Sequence, residues 1–107
     1  MTDRHSQKLL DVAVLKQALL DVRLRIDGVP MPRRRRRAYT DLMLDAARWL
    51  FANRHPEHVL SPMRISERMG VDYRKLALRV FESLPPARQK EIREALRHYT
   101  VCILKAA

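Results

Sequence analysis

The sequence predicts a small all-α protein with five helices. Of its 107 residues, 47% are apolar, which is enough to form a single hydrophobic core. Two glycines and six prolines divide the chain into segments whose apolar residues recur three and four positions apart, the spacing of amphipathic helices. No segment shows the sustained alternation of a β-strand, and no Asn-Gly or Asp-Gly pair lies between two strand-like runs.

The composition excludes several classes of protein. No apolar run approaches the roughly 18 residues of a membrane span, and the amino terminus lacks the apolar stretch of a secretory signal. The single cysteine, Cys102, cannot form an intramolecular disulfide and is expected to be a small buried side chain. We therefore expect a cytoplasmic protein that has no membrane partner and needs no cofactor.

The positive charge is concentrated in one part of the chain. Of the net charge of +10, residues 1–27 contribute +1, residues 28–38 contribute +5 and residues 39–107 contribute +4. Arginine outnumbers lysine 17 to 5, and its guanidinium group binds phosphate through two parallel hydrogen bonds and stacks on bases. The charge therefore indicates an acidic partner, most often nucleic acid.

The same three ranges define the predicted organisation: an amino-terminal helix, a basic linker rich in proline and arginine, and a helical domain. The first helix is predicted from Ser6, a candidate N-cap, to Ile26, with Gly28 just beyond its end. Apolar residues at coiled-coil spacing form a stripe along it, namely Val12, Leu15, Leu19, Val22 and Ile26. We expect this stripe to pair with a second copy of the chain, and packing against its own domain is the alternative.

The basic linker contains five consecutive arginines, namely Arg33, Arg34, Arg35, Arg36 and Arg37. As a flexible arm they could contact phosphates or a minor groove, and as an arginine-rich segment they could fold on RNA. The alternatives are a solvated linker or the first turn of the second helix. The positive end of a helix dipole disfavours the last of these.

Four further helices are expected after the linker. The second should begin at Thr40 as a cap and end near Arg54, followed by a loop over residues 55–62. Ser61 and Pro62 are typical of a cap and a first helical position. The remaining helices are predicted over residues 62–69, 72–84 and 86–105.

Residues 61–81 resemble the helix-turn-helix motif of DNA-binding proteins. Ile65 is followed by the small Ser66, Gly70 stands at the turn, Val71 occupies the position that fills the gap between the helices, and Asp72 can cap the second helix. Two positions depart from the motif: serine replaces the usual alanine, and the later apolar residue is shifted by one place. The resemblance covers about 20 residues and implies a major-groove recognition helix within residues 61–84.

A helical projection places most basic residues of the second motif helix away from its apolar side. The resemblance thus implies that residues of this helix contact bases or phosphates, namely Tyr73, Arg74, Lys75 and Arg79. Arg64 and Arg68 on the preceding helix could contact the backbone. Leu78 is expected on the exposed side, where it could meet a thymine methyl group or a protein.

The sequence does not indicate an enzyme. His55 and His58 lie close together in a loop, but two imidazoles without a third ligand are a weak metal signal. There is no glycine-rich phosphate loop and no distinctive pair of acids. The predicted function is a dimeric DNA-binding transcriptional regulator from a bacterium or phage. One alternative is an RNA-binding, antitermination-like protein that uses the arginine run. Another is a phage-type protein that binds a host enzyme through its first helix.

Overall fold

A computed structural model describes residues 4–53, 55–99 and 102–106. It confirms an all-α protein with five α-helices, and no residue among those described lies in a β-strand. The helices are α1 (Arg4–Val22), α2 (Arg33–Ala47), α3 (Pro62–Met69), α4 (Tyr73–Glu82) and α5 (Pro86–Leu96). A π-helical turn, Arg48–Ala52, continues α2, and a 3₁₀ turn, Ile103–Ala106, lies near the carboxyl terminus. No helix in the described part of the chain is long and apolar enough to cross a membrane.

The first helix ends one turn earlier than its apolar pattern predicts. It stops at Val22, so Ile26 lies outside the helix, and Ser6 lies inside it rather than at its cap. Gly28 is not the residue that ends the helix. It adopts a φ of 74° in a tight turn that the Val29 amide closes on the Ile26 carbonyl. Apolar spacing alone could not locate this end, because Ile26 is buried although it lies outside the helix.

Two arginines from other helices hold the segment that follows α1. The buried guanidinium of Arg88, on α5, donates to the carbonyls of Val22 and Leu24 at 2.9 and 2.8 Å. Arg36, on α2, donates at 2.7 Å to the carbonyls of Ile26 and Val29. Because the helix does not continue past Val22, these four carbonyls do not accept hydrogen bonds from the amides of a further helical turn. They accept charge-assisted hydrogen bonds from the two arginines instead.

The arginine run is helical and does not form a linker. Helix α2 begins at Arg33 with Pro32 at its N-cap, so all five arginines lie within its first turns. Thr40 is not a cap: its hydroxyl donates to the Arg36 carbonyl in the preceding turn. The helix dipole penalty that disfavoured this start is small for exposed charges, whereas Arg36 gains two short hydrogen bonds from the helical position.

The apolar stripe of α1 packs within its own chain, which corrects the predicted pairing surface. Leu15, Val22 and Ile26 are buried, and Leu19 packs against the main core, so only Val12 remains exposed. Val22 and Ile26 share one core with residues of α2, α4 and α5, and the first segment is therefore part of the bundle. That core is centred on the largest fully buried side chains, among them Phe51, Met43, Leu50, Ile92 and Leu96.

The carboxyl-terminal helices are shorter than predicted. Helix α4 ends at Glu82 instead of Leu84, and α5 ends at Leu96 instead of near Lys105. Beyond residue 99 the described chain resumes at Cys102, which is buried as expected and belongs to the core. Helix α3 matches its predicted bounds, with the Ser61 hydroxyl accepting the Arg64 amide at 3.2 Å.

Replacing Arg88 with alanine should lower the free energy of unfolding by about 3 kcal/mol, because two charge-assisted hydrogen bonds are lost and two carbonyls are left without partners. Urea titration followed by circular dichroism measures the change. Lys90→Ala on the exposed side of the same helix is the control and should cost less than about 0.5 kcal/mol. Equal stability of the two variants would contradict the structural role of Arg88.

Candidate nucleic-acid interface

The α3–turn–α4 unit is built by local hydrogen bonds that the sequence anticipates. Gly70 adopts a φ of 72° after α3, which few other residues tolerate. The Gly70 amide then bonds the Glu67 carbonyl, and the Val71 amide bonds the Ser66 carbonyl at 3.0 Å, which together form a Schellman motif. The Asp72 side chain accepts the Lys75 amide and caps α4.

The packing of this unit agrees only in part with the helix-turn-helix pattern. Ile65, Ala77 and Val80 are buried, so the apolar residue that comes one place late does reach the core. Val71 is 44% exposed and does not fill the gap between the helices. Leu78 was expected on the exposed side, but it is half-buried and packs against the core.

Helix α4 exposes a short basic face. Arg74, Lys75 and Arg79 are exposed, and Glu82 is the one acid on the same helix. The hydrophobic residues of the helix lie on the other side and join the core. Long basic side chains on one face of a short exposed helix can contact base edges and phosphates.

Tyr73 does not lie on this basic face. Its hydroxyl donates to the Leu50 carbonyl at 2.6 Å, and burial raises the pKa of the phenol well above its usual range. Leu50 lies near the end of the helical run that α2 begins, where carbonyls lack intrahelical partners. The side chain therefore anchors the start of α4, which corrects its predicted contact with DNA.

Arg68 is also used inside the molecule. Its guanidinium forms two 2.8 Å hydrogen bonds with the carboxylate of Asp11, which is 1% exposed, and a third of 2.6 Å with the Val59 carbonyl. These bonds join α1 to α3 and lower the pKa of Asp11. The sequence predicts that Asp11 lies within the apolar first helix, but no sequence pattern indicates that Asp11 pairs with Arg68, which lies 57 residues away. Arg64 keeps an exposed position and a 3.4 Å ion pair with Glu67.

The first turns of α2 form the second basic surface. Arg33, Arg34, Arg35 and Arg37 are exposed, and only Arg36 turns inward to its carbonyl partners. The Pro32 N-cap provides no side-chain hydrogen bond, so the first amide groups of the helix have no cap. Exposed guanidinium groups and uncapped amides at the positive end of a helix together favour a bound anion.

The two basic surfaces lie at different ends of α2. Tyr73 fixes the start of α4 beside Leu50, which is 17 residues beyond Arg33. At about 1.5 Å per residue, Arg33 and Leu50 are about 25 Å apart along that axis. This corresponds to about seven base pairs of B-form DNA at the usual spacing of about 3.4 Å.

The two loop histidines lie beside a surface pocket of about 410 Å³. His55 and His58 line it together with Asp45, Arg48 and Trp49, which lie at the end of α2 and in the π turn. Among the described residues, no group of three or more His, Cys, Asp or Glu side chains could hold a metal ion. A few large apolar side chains also remain exposed on α1 and α2, namely Leu9, Leu10, Val12, Leu20 and Leu42.

Comparison of the chain with protein-family models, with curated proteins and with solved structures gives no match.

The stability contributed by Asp11 should depend on pH. Because its pKa is lowered in the folded protein, the contribution is present above the unfolded-state pKa of about 3.9 and is lost as the pH falls through the folded-state value. We expect Asp11→Asn to cost about 2 kcal/mol at pH 7 and progressively less below about pH 4. Urea titrations across this range measure it. A difference that grew on acidification would contradict the assignment.

Gly70→Ala should lower the free energy of unfolding by about 1–2 kcal/mol, the cost of a left-handed conformation for a residue with a Cβ atom. No atom lies within 4 Å of an added Cβ, so the cost is conformational and not steric. Thermal or urea unfolding measures the change, with Glu67→Ala at the exposed side of α3 as the control. No loss of stability would show that the turn relaxes to another conformation.

Proposed function

We propose that this protein is a DNA-binding transcriptional regulator without catalytic activity. The observation that carries the proposal is the concentration of four exposed arginines at the uncapped start of α2. Their charges repel one another and oppose the helix dipole. A line of phosphates relieves both effects, and a folded protein with this surface therefore gains binding energy from a polyanion.

The α3–turn–α4 unit supports duplex DNA as that polyanion. Its Gly70 turn and Asp72 cap resemble a helix-turn-helix, and α4 exposes Arg74, Lys75 and Arg79. Arginine on a recognition helix distinguishes guanine by bonding two acceptors in the major groove. In this proposal α4 contacts bases, while the arginines at the start of α2 contact phosphates about 25 Å away.

RNA is the second candidate, because the arginine run is helical. A helix with arginines on several faces is one way in which proteins bind structured RNA. The two candidates differ in what they require of α4: sequence-specific DNA binding needs its basic face, whereas binding to an RNA hairpin through α2 does not.

Two variants should separate base recognition from phosphate binding. A duplex selected from a random pool by the purified protein serves as the ligand, and fluorescence anisotropy at several salt concentrations gives the affinities. Arg74→Ala combined with Arg79→Ala should reduce the preference for the selected duplex over a scrambled one by at least about 30-fold, since each of the two specific contacts contributes about 1–3 kcal/mol. Lys90→Ala with Arg97→Ala is the matched control, since Lys90 is an exposed base of α5 and Arg97 is an exposed base directly after its end.

The second variant replaces the four exposed arginines of α2 with serine and keeps Arg36. It should weaken binding to all duplexes and make the salt dependence shallower by about 3–4 units of log K per decade. The charge-matched control replaces four exposed bases elsewhere, namely Arg4, Lys8, Lys16 and Arg25. If this control, which also replaces its four bases with serine, weakens binding to duplex DNA as much as the α2 variant does, the arginine surface has no special role. If the variant loses an RNA hairpin but binds duplex DNA normally, RNA is the partner of α2.

A further inference from the structure

Helix α1 is apolar on two sides. One side is buried and packs against α2 and α3. On the other side, residues at spacings of three and four positions form an exposed outer stripe, namely Leu10, Ala13, Gln17 and Leu20. In a helical projection the centre of this stripe lies about 150° from the centre of the buried side. Leu10 and Leu20 are 47% and 56% exposed. The solvent side of a surface helix is usually polar, so the outer stripe indicates a surface that another molecule covers.

A groove adjoins the outer stripe, between α1 and the helical run formed by α2 and the π turn. Its volume is about 380 Å³. The two buried residues that line it are Ala18 and Ala46, whereas Leu42 is 47% exposed and Trp49 is half-buried. Small buried residues between larger, more exposed ones leave room for a further helix, which can place its apolar face in such a groove.

The charges of the groove and of α1 are complementary. Asp21 and Asp45 line the groove and none of its described lining residues is a base, although the chain has 22 bases and 12 acids. Asp45 bonds Arg48, yet its side chain is 73% exposed and can accept further hydrogen bonds. Over the described range Arg4–Val22, the exposed charged residues are all basic, and Lys16 lies beside the outer stripe. An apolar helix with a basic edge therefore fits the groove, and the outer side of α1 has both features.

We propose that this groove binds the outer stripe of α1 from a second copy of the chain, and that each copy provides one stripe and one groove. Gln17 belongs to both surfaces, so they adjoin on one side of the molecule, and a two-fold axis can join both pairs at once. The leucines of one stripe then pack against Leu42 and Trp49 of the partner copy. Lys16 lies beside the exposed carboxylate of Asp45. The proposal does not rest on DNA binding, because none of these residues belongs to the basic surfaces of α2 and α4.

The first test is the oligomeric state of the full chain. Sedimentation equilibrium should show a reversible equilibrium between monomer and dimer. Trp49 is the only tryptophan and lines the groove, so its emission should shift to shorter wavelength over the same concentration range. Leu20→Glu should weaken dimerisation by about tenfold or more, because an unpaired charge in the interface loses its hydration. Val71→Glu alters a comparably exposed apolar residue outside both surfaces and should leave the equilibrium unchanged.

A pair of charge reversals tests whether the groove and the outer stripe are the surfaces that meet. Lys16→Glu and Asp45→Lys should each dimerise more weakly than the native chain, because like charges then face each other at both contacts. An equimolar mixture of the two variants should regain the dimer, since the two altered surfaces attract each other and the two native ones also pair. Lys90→Glu and Glu94→Lys, at exposed positions of α5, form the control pair and should have no effect.

Recovery of the dimer in the mixture also shows that both variants fold. A chain that stays monomeric at every concentration overturns the proposal. A dimer that persists unchanged in Leu20→Glu and in both charge reversals overturns it as well, because such a dimer uses another surface. Assemblies that grow beyond two copies contradict the reciprocal contact, since stripe and groove then join different molecules.

Discussion

The arrangement of the whole bundle depends on how the chain between α1 and α2 is held. Residues 23–29 leave the helix, and their backbone is held by Arg88 from α5 and Arg36 from α2. Because each guanidinium bonds two carbonyls, the segment is fixed at four points by two side chains. Val22 and Ile26 are then both buried in the same core, although Val22 is the last residue of α1 and Ile26 lies outside the helix.

This use of arginine divides the positive charge of the protein into two roles. Arg36, Arg68 and Arg88 are spent on internal partners, and each lies where the sequence alone would suggest a basic surface or a solvated helix face. Other bases also have partners within the chain, such as Arg48 with Asp45 and Arg64 with Glu67. The run at the start of α2 consists of one inward residue and four outward ones, and the inward residue helps to keep the helix start in place.

The sequence predicts the parts of the fold that depend on neighbouring residues. The α3 bounds, the Ser61 and Asp72 caps and the Gly70 turn are local, and all are confirmed. The ends of α1 and α5 are predicted wrongly. At the end of α1, the Val22 carbonyl accepts from Arg88, which lies 66 residues away. The site shows the same division: exposure of Arg74, Lys75 and Arg79 follows from helical periodicity, whereas the partners of Arg68 and Tyr73 lie 57 and 23 residues away. No short sequence pattern encodes such distances.

The π turn connects these features at the other end of α2. Carbonyls at the end of a helix need external partners, and the hydroxyl of Tyr73 supplies one to Leu50. The start of α4 is consequently tied to the turn whose neighbouring residues, Trp49 and Asn53, line the pocket. A change in the turn that moved the Leu50 carbonyl would either break this bond or carry the first turn of α4 with it. The Tyr73 hydroxyl thus makes the position of the first turn of α4 depend on that of the π turn.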